Sequence, residues 1–268
     1  MRYIRTILFI SYPFILLSSC QSTENDRQET VSQEPIEEEE RQAKEEEAST
    51  NDSDSWALEA ENFNDIETVG GVEMIQNPNN IQVLVNDDYA LPDGYEPDDL
   101  VVPDVAFSFD EDVEKRYLRE PAADALEELF AAASEDGYDL FAVSGYRSYE
   151  RQDTIFSNAA AERGEDTANE TIATPGNSEH QTGLAMDISS ESNNFELNTA
   201  FADTEEGQWV EDHAHEHGFI IRYPEDSEEI TGISYEPWHL RYVGEEIAAV
   251  INDYEITLEE FFENAEKI

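Results

Sequence analysis

The sequence predicts an α+β domain, and three observations carry that prediction. Between residues 119 and 134 the apolar residues Ala122, Ala125, Leu126, Leu129, Phe130 and Ala133 recur at helical spacing. The runs I-Q-V-L-V (81–85), L-F-A-V-S (140–144) and F-I-I-R-Y (219–223) have the composition and length of strands. Helices and strands follow one another without a regular βαβ rhythm or an internal repeat, the pattern of α+β rather than doubly wound α/β.

Each element has a local reason. The run at 81–85 is closed by N-D-D at 86–88. Pro92, Gly94, Pro97 and Pro103 make 91–105 an irregular connection. Pro121 suits the first turn of the 119–134 helix, and Asp136–Gly137 ends it. Residues 149–163 read as a second helix and 209–217 as a third, stopped by Gly218. Pro224 ends the strand at 219–223, and 245–252 and 258–265 read as terminal helices. About 198 residues, 71–268, suffice for one hydrophobic core.

The chain has 268 residues and a formal net charge of −51, from 65 acidic and 14 basic residues. Nucleic-acid binding through phosphate neutralisation is excluded, because no basic surface exists to release counterions. Adsorption to anionic lipid through a polybasic patch is excluded too. The acidity is not a tail: residues 71–268 carry 48 acidic and 9 basic residues, a net of −39. Such a surface repels itself in dilute buffer, but ~1 M salt shortens the Debye length to ~3 Å and screens it. The composition therefore reads as adaptation to a saline or alkaline exterior. Cation binding or a basic partner is the alternative.

Residues 1–19 have the form of a signal peptide: Arg2 and Arg5, then an apolar stretch from Ile7 to Leu17, too short to span a bilayer. The segment L-S-S-C resembles the lipobox of bacterial lipoproteins, with Cys20 as the lipidated residue. Cys20 is the only cysteine, so no disulfide is possible and a metal site must use His and carboxylate ligands. Residues 20–70 read as an acidic disordered linker, because apolar residues are too sparse to offset chain entropy. A short helix over 37–48 would lack a partner face.

The chemistry concentrates in two motifs. S-E-H-Q-T-G-L-A-M-D-I (178–188) sets Asp187 seven residues after His180, and E-P-W-H-L (236–240) sets His239 three after Glu236. Two imidazoles and a carboxylate with an open fourth position make a catalytic zinc set, and a neighbouring carboxylate can act as general base. From the residues alone, His180 and Asp187 serve equally as a structural hydrogen-bonded pair, and Glu236 as a solvated acid. His213, His215 and His217 in H-A-H-E-H do not form H-E-x-x-H and read as partly exposed or core-edge residues.

With S-G-Y-R-S (144–148) these motifs, in this order, resemble the VanY-type D-alanyl-D-alanine carboxypeptidases, within the LAS group of zinc peptidases. The resemblance runs from about residue 81 to 250. It implies a small, mostly antiparallel sheet flanked by helices, with the zinc site in a cleft on the sheet. It implies one zinc ion held by His180, Asp187 and His239, and Glu236 as the base that takes the proton of the attacking water. Arg147 would stabilise the oxyanion, although an acidic protein also offers it structural salt bridges. Gln152 and Ser178 would line the substrate pocket.

The expected activity is zinc-dependent removal of the C-terminal D-Ala from D-Ala–D-Ala ends of peptidoglycan stem peptides. The protein would act as a monomer outside the cytoplasm, anchored to the membrane through Cys20. The rivals are an L,D-carboxypeptidase acting on tetrapeptide stems and a non-catalytic, zinc-stabilised cell-wall binding module.

Overall fold

The computed structural model describes residues 56–164, 167–168 and 172–268. The predicted signal peptide, Cys20 and linker residues 20–55 lie outside the described residues. All described residues fall within one unit, Glu47–Ile268. In chain order the strands and helices are β1 (Ala57–Leu58), β2 (Ile66–Val69), β3 (Val72–Ile75), β4 (Tyr89–Ala90), β5 (Leu100–Val101) and β6 (Leu118–Arg119). They continue with α1 (Glu120–Glu135), β7 (Leu140–Ser144), α2 (Tyr149–Arg163), β8 (Ala185–Ser190), α3 (Glu205–His213) and β9 (Phe219–Ile221). The last are α4 (Glu228–Thr231), β10 (His239–Tyr242), α5 (Glu245–Tyr254), α6 (Leu258–Asn264) and β11 (Glu266–Lys267). None of the described helices is long and apolar enough to cross a membrane.

The central sheet has four strands in the order β7-β8-β10-β9, every pair antiparallel. Its inner strand β8 is buried along its whole length, so both faces are covered. Helix α1 supplies one cover. It buries Ala122, Ala123, Leu126, Leu129, Phe130 and Ala133, with Pro121 in its first turn as expected. These side chains join Leu140, Ala142, Met186, Ile188, Val210, Phe219 and Leu240 in the main core. A second cluster around Ile247, Val250, Ile251, Leu258 and Phe261 seats α5 and α6. Helix α6 opens on a capping box, with Thr257 and Glu260 satisfying each other's backbone N–H groups.

Three sequence expectations need correction. The run at 81–85, buried over 83–85 and half-buried before that, forms no strand. Its backbone groups are taken by side chains: Arg241 Nη2 donates to the Ile81 and Val83 carbonyls at 3.0 and 2.7 Å, and Asn64 pairs with both backbone groups of Leu84. The groups so engaged are not free to join a ladder.

Residues before 71 are part of the fold as well, from Trp56 on among the described residues. Trp56 stacks on Phe261 at 5.8 Å, β1 pairs with β11, and residue 71 falls in the turn between β2 and β3. Gly70 and Gly71 take positive φ there, as a two-residue hairpin turn requires. Trp56, Leu58 and Phe63 pack on the second cluster, a local apolar signal that the polar average of the preceding residues hides.

The third helix starts at Glu205, where the Thr204 side chain accepts from the Gly207 N–H. It tightens to 3-10 over Ala214–His217 before Gly218 stops it at φ 76°.

Candidate metal centre and active site

The site is assembled where the chain leaves β7 and meets β8 and β10. A register shift between Ala142 and Ser144 ends the regular pairing of β7. The next residues hydrogen-bond elsewhere: Gly145 N–H to the Lys115 carbonyl and Tyr146 N–H to the Tyr117 carbonyl, both 2.8 Å. A Cβ on Gly145 would lie 2.5 Å from the Tyr117 oxygen, so only glycine permits this approach. The freed Gly145 carbonyl lies 2.9 Å from His180 Nδ1. With that nitrogen donating its proton, Nε2 of His180 presents its lone pair to Asp187.

His180 sits in a buried 3-10 turn, Glu179–Thr182, closed by Gly183 at φ 69°. A Cβ on Gly183 would press on Leu100 Cδ2 at 2.9 Å, a side-chain end that can give way, so the positive φ is what calls for glycine. Asp187 on β8 and His239 at the start of β10 are direct cross-strand partners. Sheet register therefore brings together two residues 52 positions apart.

His180 Nε2 lies 3.4 Å from Asp187 Oδ2, and His239 Nδ1 lies 3.0 Å from Asp187 Oδ1. All three residues are buried, and their donor atoms lie within 4.8 Å of one another. Tetrahedral zinc holds N and O ligands at ~2.0–2.2 Å, which separates ligand atoms by about 3.3 Å, so the two short distances suit the ion. Two imidazoles and a carboxylate are also a donor set zinc accepts. Among the described residues this is the one cluster able to hold a metal.

Burial would raise the Asp187 carboxyl, but the charges of His180 and His239 and their hydrogen bonds overcome it and hold Asp187 well below the usual carboxylate range. Burial also drives His180 down, which keeps it a neutral ligand. His239 goes the other way: burial would lower it, but the carboxylates of Asp187, 3.0 Å away, and Glu179, 3.6 Å away, favour the charged ring and raise its pKa to about 9.

Glu236 Oε2 lies 3.8 Å from His239 Nδ1. Burial pushes Glu236 up to about 7, with the Asp187 charge adding to the rise and His239 and Arg147 opposing it. A carboxyl near 7 can both take and return a proton at neutral pH.

Arg147 is tied to the site through its backbone, N–H to the His180 carbonyl at 3.1 Å. Its guanidinium donates to Gln152 Oε1 at 2.9 Å and to Ser144 Oγ at 3.4 Å. Gln152 is buried on α2 and donates to the Ala173 carbonyl at 2.5 Å. So Gln152 steers Arg147. Ser178 is buried just before the turn that carries His180, and its side chain does not cap that turn. The structure thus brings all the predicted site residues of the folded part into one region. His213, His215 and His217 stay outside it and are half-buried, as expected.

Sequence reasoning missed the residues behind the ligands. Glu179, Arg222, Arg241 and Glu259 form a buried ionic cluster beneath His239. Glu179 Oε1 accepts from Arg222 Nε at 2.8 Å and from Arg241 Nη1 at 2.7 Å. Arg222 pairs with Glu259 of α6 at 2.8 and 2.5 Å. A signal existed: in a chain so poor in cations, two arginines stand next to or inside the apolar strand runs F-I-I-R-Y and H-L-R-Y.

A buried His–Asp–His set, with a carboxyl poised near neutrality and a guanidinium reaching in behind it, defines a zinc-dependent hydrolase. Comparison with known proteins gives the family. The family model described as "VanY: D-alanyl-D-alanine carboxypeptidase" matches residues 115–245. YodJ of Bacillus subtilis (strain 168) is 53% identical over 97% of this chain and 95% of its own length. A structure of the LdcB LD-carboxypeptidase is 60% identical and superposes with a TM-score of 0.78, covering 80% of this chain and 100% of that one. The vancomycin resistance D,D-pentapeptidase VanY, solved in complex with Zn(II), is 33% identical with a TM-score of 0.55, covering 68% of this chain and 98% of that one.

The chain belongs to the VanY family of carboxypeptidases. It is a zinc peptidase, and one zinc ion fits its His–Asp–His cluster.

Proposed function

We propose that this protein removes the C-terminal D-alanine from peptidoglycan stem peptides, with the L,D bond of tetrapeptide stems as its substrate. The buried His180–Asp187–His239 set with Glu236 3.8 Å from His239 carries the hydrolytic reading. The choice of bond departs from the D,D specificity that the family resemblance implies. Identity to the LD-carboxypeptidase is 60%, against 33% to the D,D-pentapeptidase, and the TM-scores run the same way, 0.78 against 0.55. The D,D reading keeps the support of the family model's description.

His180, Asp187 and His239 hold the metal. Zinc so bound supplies Lewis acidity toward the scissile carbonyl and the attacking water. Glu236 takes the proton of the attacking water and delivers it to the leaving amine of D-alanine. Arg147, held by Gln152, faces the developing negative charge on the carbonyl oxygen. Gln152 and Ser178 line the pocket for the C-terminal residue.

The N-terminal segment adds an address: Cys20 carries a lipid, and the monomeric domain works at the outer face of the membrane, beyond an acidic linker. The external medium is saline. In support, only Arg151, Arg163 and Lys267 of the nine cations in 71–268 are exposed, so the surface is almost purely acidic.

The deciding assay gives the purified protein, in molar salt with zinc, tetrapeptide and pentapeptide stems and measures free D-alanine. Release from the tetrapeptide alone is the expected result. Release from the pentapeptide alone makes it a D,D enzyme, and release from neither while zinc is bound makes it a binding module. Replacing Cys20 by Ser should move the protein from the membrane fraction to the medium; retention on the membrane defeats the lipid anchor.

A further inference from the structure

We propose that Glu179 is a positioning residue for the zinc site, accepting the Nε2–H of His239 so that His239 Nδ1 is left bare for the metal. The proposal rests on the zinc-peptidase reading above and deepens it.

The geometry begins with two polar atoms that lack partners. Glu179 Oε2 and His239 Nε2 are both buried, and neither makes a hydrogen bond among the described residues. They face each other at 3.6 Å. The other oxygen, Oε1, is saturated by Arg222 and Arg241. Oε2 is therefore the part of Glu179 left for His239, and its partner is held close to hydrogen-bonding range.

Without metal the His239 ring holds its second proton, but an imidazole that gives a lone pair to a metal is neutral and carries one N–H. With the proton on Nδ1, His239 donates to Asp187 Oδ1, 3.0 Å away, and offers the metal no lone pair. With the proton on Nε2, it donates to Glu179 Oε2 and turns the Nδ1 lone pair toward Asp187 and the metal. An acceptor behind Nε2 selects the second form, because a buried donor is stable only when paired.

The two histidine ligands are thus oriented by different groups. His180 is set by a carbonyl, that of Gly145, and His239 by a carboxylate. That carboxylate is itself clamped. Arg241 is tied to the Ile81 and Val83 carbonyls, and Arg222 to Glu259.

The test compares Glu179→Gln with Glu259→Gln. Each removes one carboxylate from the same arginine cluster, but only Glu179 faces His239. Zinc affinity is measured by chelator competition at a temperature where circular dichroism shows both variants folded. The proposal expects Glu179→Gln to lose about 10–100-fold in zinc affinity and Glu259→Gln to keep the wild-type value. Wild-type affinity in Glu179→Gln, or an equal loss in both variants, overturns it.

Should Glu179→Gln fail to fold, nitrogen-15 spectra of the zinc-loaded wild type decide. A proton on His239 Nε2 that exchanges slowly and is shifted downfield, as a hydrogen bond to a carboxylate makes it, sustains the proposal; a proton on Nδ1, or an Nε2–H without that shift, ends it. Failure of the underlying reading would look different, as absence of zinc binding in the wild type itself.

Discussion

His180 and His239 on one side, and His213, His215 and His217 on the other, show what separates a metal site from a group of histidines. The first pair is buried and shares Asp187, and each ring has a second protein group behind it, Gly145 or Glu179. The trio is close in sequence, at alternate positions, and half-buried. Among the described residues, none of its rings has a carboxylate within ion-pair distance. His213 stacks on Trp209 at 4.5 Å and 8°, and its Nδ1 lies 2.8 Å from the Trp209 carbonyl. Its role is packing. The difference lies in convergence: the pair comes from distant segments that sheet register forces together, with one carboxylate between them. Spacing along a helix does not supply that carboxylate.

Four predictions probe this contrast. The largest effect should come from His180→Ala or His239→Ala, which should each abolish stoichiometric zinc binding and D-alanine release. A variant with His213, His215 and His217 all changed to Ala should still bind one zinc. Metal analysis after dialysis reads both, and loss of zinc from the triple variant would erase the distinction.

Next, Glu236→Ala should lower kcat by about 10²–10⁴-fold while zinc content stays at one, because it removes the proposed base and no ligand. Steady-state assays beside metal analysis check this. Unchanged kcat would remove Glu236 from the mechanism.

The third concerns stability of the metal-free protein. Glu236 has a folded pKa of about 7, above the ordinary value of 4.5, so the native state binds the extra proton between those limits. That stabilisation is fully present below pH 4.5 and lost as pH rises through 7. Glu236→Gln cannot ionise. It should match the wild type near pH 4 and exceed it by about 3 kcal/mol at pH 8, from ~1.4 kcal/mol per pKa unit. Urea titrations at the two pH values measure the gap, and a gap that does not widen with pH refutes the burial argument.

The smallest effect belongs to His213→Ala. Losing the Trp209 stack and one hydrogen bond should lower stability by about 1 kcal/mol, with kcat unchanged. Thermal melts and the D-alanine assay report the two halves of that statement.

The legible parts of the fold were those with strong local chemistry. Residues 120–135, 140–144 and 149–163 lie where apolar period, Pro121 and Asp136–Gly137 place them. Residues 81–85 misled, because a buried apolar run looks like a strand whether its backbone pairs with another strand or, as here, with Arg241 and Asn64. At the site, His180, Asp187, Glu236 and His239 were legible because short motifs bind them in fixed order. Glu179 was overlooked although it stands beside His180, since a glutamate in a chain with 65 acids carries no signal until two arginines surround it.

The sequence by itself determined the set of chemical groups: two histidines, an aspartate and a glutamate in two motifs, a single cysteine, and an acidity spread over the whole domain. These are properties of residue type and spacing, readable without any contact. Tertiary structure alone decided which histidines converge, which ring nitrogen each points inward, and how Glu236 comes to titrate near 7. It also decided that most of the domain's few cations turn inward or lie half-covered, leaving the acids outside. The physical reason is common to all four. Register, burial and ion pairing depend on neighbours 30 to 160 residues away, and no local pattern encodes those neighbours.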